Sequence, residues 1–473
     1  MFQQGCFSTL RPSTVLAHPT AIIVKRPSPS NDTIVARATA PGRGAVDLVR
    51  LSGPRAVEIT GHFIEPRPAD RRPRYVYQAR AGGVDGVLDR LLAVRFAGPR
   101  SYTGEDVVEL SCHGGGAIAR RLVEIAVGFG ARPAEPGEFT RRAWEAGKLD
   151  LLQAEAVGAL AGARSLIGVR LLERQLGGAL SRLLDGLRRR SIELAAGLEA
   201  RLAYPEEGLN EAGYRRELEE GLCGLDGELA ELESSAAVAR VTVDGAVVVL
   251  VGEENVGKST LFNRLLGAEA ALVTPTPGTT RDILRGELEL DGLPLVLYDT
   301  AGRPELWRDE LTELAARRAS VAARTADALL VVLDARRPRI PDWAQAEIEN
   351  QPALVLLNKR DLLEETPPDE VDGRPALALS AAAGAGVEEL TAALRELLLP
   401  LNVDTAPTSR RQRLGLRRAR EALVAARSAL GHGIWDAAAE ELVAVRRALE
   451  EVLGLVTDED VLDALFADFC VGK

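Results

Sequence analysis

The sequence predicts a helical domain interrupted by an inserted α/β domain and preceded by an α+β domain. Three observations carry this. At roughly 100–200 residues per domain, a chain of 473 residues holds about three cores. Proline is absent between Pro136 and Pro205 and again from Thr408 to Lys473, and Leu, Ala and Glu recur there at helical spacing, as in Leu180, Leu183, Leu184 and Leu187. Between those blocks prolines return and strand-like runs alternate with helical ones, the pattern of a parallel α/β sheet. An α/β unit flanked by helical segments reads as an insertion, which a domain tolerates when the inserted termini lie close together.

Residues 1–31 come first, with three basic residues (Arg11, Lys25, Arg26), no acidic ones, and many Ser, Thr and Pro. They read as a disordered extension or a misassigned start; an organelle transit peptide is the less favoured reading. Residues 32–147 mix short β-type runs (33–36, 91–96, 107–110) with Gly/Pro turns and one helix near 117–129, which makes an α+β domain. Residues 148–240 and 400–473 make the two parts of the helical domain, and residues 241–399 the insertion.

Apolar residues make up 46% and charged residues 27%, which excludes wholesale disorder. The best apolar runs, 246–251 and 328–333, are strand-sized and fall short of the roughly 20 residues of a membrane helix. No membrane partner is expected, and the expected location is cytoplasmic. The net charge of −11 repels phosphate overall, so any RNA must be met through a local basic patch. Cys6, Cys112, Cys223 and Cys470 are far apart and form no C-x-x-C, which points to a reducing compartment and to neither a disulfide framework nor a zinc site. Of the 58 basic residues only five are lysine (Lys25, Lys148, Lys258, Lys359, Lys473), so each lysine directs attention to its surroundings.

The run of valines before Gly252 leads into Gly252-Glu253-Glu254-Asn255-Val256-Gly257-Lys258-Ser259-Thr260, a G-x-x-x-x-G-K-S loop between a strand and a helix. Its glycines let backbone N–H groups wrap phosphates, and the helix N-terminus adds positive potential. Lys258 is placed to reach phosphate oxygens and Ser259 to offer a hydroxyl to Mg²⁺. Asp299-Thr300-Ala301-Gly302 follows the next strand and sets a carboxylate near the metal. Asn358-Lys359-Arg360-Asp361 supplies an Asp that can accept from the ring N–H and amino group of guanine, and a Lys stem that can pack along the base. Ser380-Ala381-Ala382 completes the base pocket. Four such elements in order, each at a strand end, mark a GTP-binding domain. The glutamine that many GTPases place after Asp-x-x-Gly to orient water is missing, since Arg303 and Pro304 stand there.

Further motifs resemble the tRNA-modification GTPase family called MnmE or TrmE. Residues 274–282 (Thr274-Pro275-Thr276-Pro277-Gly278-Thr279-Thr280-Arg281-Asp282) resemble its switch I loop. Outside the GTPase unit, residues 32–36, 41–44, 49–53, 101–106, 112–115 and 132–140 resemble its N-terminal blocks, and Phe469-Cys470-Val471-Gly472-Lys473 its terminal F-C-I-G-K. The implied fold class is an α/β P-loop GTPase domain inserted into an α-helical domain, preceded by an α+β N-terminal folate-binding domain that also dimerises.

The resemblance implies potassium-assisted GTP hydrolysis. With a flavoprotein partner (MnmG, or GidA) in a heterotetramer, it also implies addition of an aminomethyl-type group to C5 of the wobble uridine of certain tRNAs. FAD belongs to the partner. Arg50, Glu109, Lys148 and Lys473 fall where the family contacts a reduced folate of the 5,10-methylenetetrahydrofolate type. Asn255, Thr274, Thr276 and Thr279 fall at its potassium site, Ser259 and Thr280 at Mg²⁺, and Cys470 where a functional thiol is implied. A second reading leaves Cys470 as a small apolar contact beside Phe466 and Phe469.

Two departures stand out. The family orients its attacking water with a Glu where this sequence has Thr312, which cannot act as a carboxylate base. Either hydrolysis is slow, or Glu310 or Glu313 takes the role; unchanged turnover in both Glu310→Ala and Glu313→Ala would exclude relocation. Glu254 replaces a common Pro, and a carboxylate in a phosphate loop must point to solvent. For tRNA, Arg410, Arg413, Arg417 and Arg420 line one face of a helix and form the densest basic stripe. The competing readings are a ribosome-assembly or regulatory GTPase switch, and a degenerate homologue with weak GTP hydrolysis.

Overall fold

The computed structural model describes residues 31–83, 86–203, 211–268, 284–299, 326–349, 351–399 and 405–472. The extension expected over residues 1–31 lies outside them, apart from Asn31.

The N-terminal sheet is built from β1 (Ile34–Arg37), β2 (Val46–Ser52), β3 (Ile64–Glu65), β4 (Tyr77–Gly83), β5 (Gly86–Phe96), β6 (Val107–His113) and β7 (Arg132–Pro133), in the order β3-β4-β5-β6-β2-β1-β7. Its pairs are antiparallel except β1 with β7. Period-two alternation buries Val49, Leu51, Val108, Leu110, Ala79 and Leu91 on one face, against helices Ala56–Gly61 and Ala117–Gly128. The opposite face carries the polar partners in register, notably Arg50 opposite Glu109.

Behind this domain Arg142 is buried, with carboxylate partners Asp32, Glu105 and Glu138, so a charge is kept inside only because three acids meet it.

The helical part begins with Leu151–Leu160, opened by a reciprocal cap in which the Asp150 carboxylate accepts from the Gln153 N–H and the Gln153 side chain accepts from the Asp150 N–H. Helices Ala179–Ala203 and Glu211–Asp244 then pack with Arg410–Gly431 and Trp435–Leu453 around one leucine-rich core. Leu180, Leu184 and Leu187 share it with Leu222, Leu225, Leu423 and Leu442. The two helical blocks therefore share a core across the insertion. Glu155 sews the seam: it is buried and accepts from Arg411 through both carboxylate oxygens at 2.9 Å, from the Ser409 hydroxyl at 2.9 Å and from the Gln412 amide at 2.6 Å. Ser409 and Gln412 also form the capping box of helix Arg410–Gly431.

Helix Glu211–Asp244 enters the insertion through Gly245 alone, whose φ of +89° favours glycine. The second sheet comprises β8 (Ala246–Val251), β9 (Leu284–Leu290), β10 (Leu293–Asp299), β11 (Ala328–Asp334), β12 (Ala353–Asn358), β13 (Glu370–Val371) and β14 (Arg374–Ala378), in the order β13-β14-β12-β11-β8-β10-β9. The five central strands are parallel. The inner ones, β8, β11 and β12, are buried on both faces, which explains the unbroken apolar runs in the sequence. Among the described residues no helix is long and apolar enough to cross a membrane.

Candidate functional site

The carboxyl ends of β8, β10, β12 and β14 converge on one edge of the second sheet. The loop after β8 bends tightly: Asn255 sits at φ +61° and Gly257 at φ +97°, and a Cβ on Gly257 would fall 2.3 Å from the Asn358 amide nitrogen. Only glycine fits there. Lys258, the first residue of helix Lys258–Ala268, is buried, and its Nζ donates to the carbonyls of Gly252 at 3.2 Å and Glu253 at 2.7 Å. Burial pushes its pKa down, opposed by the charges of Asp299, Glu254 and Glu253. Glu254 itself is exposed, as a carboxylate in that loop must be.

Asp299 ends β10 and is buried; its Oδ2 accepts from the Ser259 hydroxyl at 2.6 Å. Its Oδ1 is buried without a hydrogen-bond partner among the described residues. Burial raises the Asp299 pKa, opposed by Ser259 and Lys258. A carboxylate oxygen with nothing to bind, beside a hydroxyl at the start of a phosphate-type loop, is a donor set that suits a hard divalent cation and its water.

The base side is braced as strongly. Asn358 is buried and uses its whole amide on the protein: Nδ2 donates to the Val256 carbonyl at 2.8 Å and Oδ1 accepts from the Ala381 N–H at 2.9 Å. It thus ties the phosphate loop to the Ser380-Ala381-Ala382 loop. Lys359, at φ +67°, extends to the Asn255 carbonyl at 2.5 Å and to Asp334 at 2.9 Å. The Arg336 guanidinium, with Lys359, holds the Asp334 carboxyl well below the usual carboxylate range. Asp361 is exposed and free to face a base. Sequence reasoning missed Arg264, which anchors the third loop by donating to the carbonyls of Ala381 and Ala382; its only signal was an Arg on the helix after the loop. Thr274, Thr276, Thr279, Thr280, Thr300, Ala301, Gly302, Glu310, Thr312 and Glu313 lie outside the described residues. Thr260 follows Ser259 on the helix and is exposed.

A second polar site forms on the open face of the N-terminal sheet. Arg50 and Glu109 stand opposite each other on β2 and β6, and Arg50 Nε donates to Glu109 Oε1 at 2.8 Å. The guanidinium lies 5.8 Å from the Tyr102 ring centroid and 5.6 Å from that of Phe139. The chain's end arrives here. Helix Glu459–Ala467 buries Phe466 against Trp144 and Leu151, Val471 bridges Pro136, and Arg50 Nη1 donates to the Gly472 carbonyl at 3.1 Å. Gly472 has φ +100°, and a Cβ there would sit 2.6 Å from Ala38 Cα.

Lys148 reaches the neighbouring loop, donating to the Pro99 carbonyl at 2.5 Å. Cys470 is exposed. Lys473 lies outside the described residues. The basic stripe on helix Arg410–Gly431 is partly neutralised: Arg420 pairs with Asp226 and Glu233, and Arg417 with Glu421.

The family described as GTP-binding protein TrmE N-terminus matches residues 33–148, and the MnmE helical domain matches residues 151–470. A tRNA modification GTPase MnmE of Chloroflexus aurantiacus is 38% identical over 456 residues, covering 94% of this chain and 100% of the relative. One from Thermus thermophilus is 40% identical over 450 residues, covering 93% and 99%. Among solved structures, Aquifex aeolicus Era bound to GDP and AlF4− aligns at 24% identity over 37% of this chain and 66% of that one, with a TM-score of 0.27.

Proposed function

The chain belongs to the tRNA modification GTPase family called MnmE or TrmE, and from that premise we propose that it acts with a flavoprotein partner to add an aminomethyl-type group to C5 of the wobble uridine of certain tRNAs. It is a GTP hydrolase involved in tRNA modification. The one-carbon donor is a reduced folate held at Arg50 and Glu109: Glu109 accepts from the donor edge of a pterin, and Arg50, Lys148 and Lys473 are cations for its glutamate tail. Cys470, exposed beside the tail, supplies an accessible thiol. The supporting observation is the Arg50–Gly472 hydrogen bond, which seats the chain's end on the folate residues. A GTPase acting only as a switch has no use for that meeting.

At the nucleotide, Lys258 and the N–H groups of residues 255–260 bind the phosphates, while Asp361 selects guanine and Asn358 keeps the two loops in register. Ser259 and Asp299, with Thr280, would hold Mg²⁺, which neutralises phosphate charge when bound. Asn255, Thr274, Thr276 and Thr279 would hold K⁺ in the role an arginine has elsewhere. Glu310 or Glu313 would orient the water, and the N-terminal domains would pair two copies of the chain. Potassium-dependent GTP turnover, measured with and without the flavoprotein, tests this reading. Stimulation by potassium and by the partner is expected; turnover indifferent to both would contradict it.

A further inference from the structure

The Ser380-Ala381-Ala382 loop is held by a residue that belongs to none of the nucleotide motifs. Arg264 lies on helix Lys258–Ala268, the helix that opens with the phosphate-loop lysine. Its Nε donates to the Ala381 carbonyl at 3.0 Å and its Nη2 to the Ala382 carbonyl, so the planar fork of one guanidinium takes two successive carbonyls. The N–H groups around them are accounted for one by one. Ser380 donates to the Ala385 carbonyl at 2.9 Å and Ala381 to Asn358 Oδ1 at 2.9 Å. Ala383 donates to the Ser380 hydroxyl at 3.1 Å and Gly384 to the Ser380 carbonyl at 2.7 Å. The Ala382 N–H, between them, has no acceptor among the described residues, and Ala382 is exposed.

That N–H belongs to the same peptide unit as the Ala381 carbonyl. The unit is planar and trans, so its N–H and C=O point in opposite directions. Holding the Ala381 carbonyl toward helix Lys258–Ala268 therefore turns the Ala382 N–H away from that helix, and the bond to the Ala382 carbonyl fixes the next unit as well. Guanine supplies the missing acceptor. The edge that offers its ring N–H and amino group to Asp361 carries O6 beside them, and an O6 taken out of water is costly unless a donor meets it. We propose that Arg264 is a positioning residue for guanine recognition, aiming the Ala382 N–H at O6 and so strengthening the hold on the nucleotide. The proposal rests on the guanine site assigned above.

The test is calorimetric binding of three nucleotides to the full chain with magnesium. They are GDP, 6-thio-GDP, in which sulfur, a weak acceptor, replaces O6, and inosine diphosphate, which keeps O6 and lacks the amino group. Arg264→Ala should weaken GDP and inosine diphosphate by roughly fivefold, the worth of one hydrogen bond. It should weaken 6-thio-GDP by less than about twofold, because the contact that Arg264 aims is already missing there. Arg264→Lys, a point charge without the fork, should fall between the unaltered chain and Arg264→Ala, with the same order among the nucleotides. In GTP turnover Arg264→Ala should raise KM and leave kcat within about twofold. Equal losses for GDP and 6-thio-GDP in both variants would overturn the proposal, since a merely structural role lowers every nucleotide alike. Unchanged GDP affinity would overturn it too. An unaltered chain that binds ADP as tightly as GDP would overturn the guanine site itself, and the proposal with it.

Discussion

The two polar sites are built in opposite ways. The nucleotide site is assembled inside one sheet, and its side chains brace one another: Asn358 spans two loops, Lys359 reaches Asn255 and Asp334, and Arg264 pins Ala381. The Arg50 site is shared between the two ends of the chain, which meet through the Arg50 bond to the Gly472 carbonyl and the Val471–Pro136 bridge. A braced site draws its geometry from its own side chains. A site closed by a tail depends on everything that carries the tail, which here is the helical seam.

The strongest way to break this contrast is at the seam. Glu155→Ala leaves the half-buried Arg411 without its carboxylate and should cost about 3–5 kcal/mol of stability, read by denaturant unfolding, with the tail site lost before the nucleotide site. Next, Lys258→Ala should lower GTP turnover by about 10²–10³-fold while leaving folate affinity intact in calorimetry, because the braced site fails alone. Gly472→Ala should act in the reverse sense. A Cβ at φ +100° and 2.6 Å from Ala38 Cα displaces the tail; at more than about 1 kcal/mol, folate affinity should fall roughly fivefold or more with GTP turnover in the isolated protein retained. The smallest effect sharpens the nucleotide side. Asp299 meets a cation only as a carboxylate, and burial raises its pKa, so magnesium-dependent nucleotide affinity should weaken on acidification at a higher pH than an exposed aspartate would dictate. Asp299→Asn should remove that pH dependence along with most of the metal requirement.

The described part of the nucleotide site, from Lys258 and Asp299 to Asn358 and Ala381, comes from consecutive residues at strand ends, which is why its motifs could be read from the sequence. The spacing of Leu180, Leu184 and Leu187 likewise announced a helix with a buried stripe, and the absence of proline framed the insertion. What stayed hidden depends on partners remote in sequence. The amide of Asn358 reads as part of a base-recognition motif, yet both its ends are spent on Val256 and Ala381. Arg420 looked like part of a free basic stripe; its partners Asp226 and Glu233 come from another helix and no spacing rule connects them. The exposure of Cys470 and the landing of Gly472 on Arg50 follow from helix Glu459–Ala467 docking on Trp144 and Leu151, a tertiary contact that no local pattern encodes.

On the function proposed above, the last residues of the chain complete a folate site in the N-terminal domain. Calorimetric titration of tetrahydrofolate into the intact chain, into Arg50→Ala and into a chain ending at Phe469 tests it directly. Binding to the intact chain and at least a tenfold loss in both altered forms are expected, with nucleotide affinity unchanged. Full folate affinity in the chain that lacks its tail would contradict it.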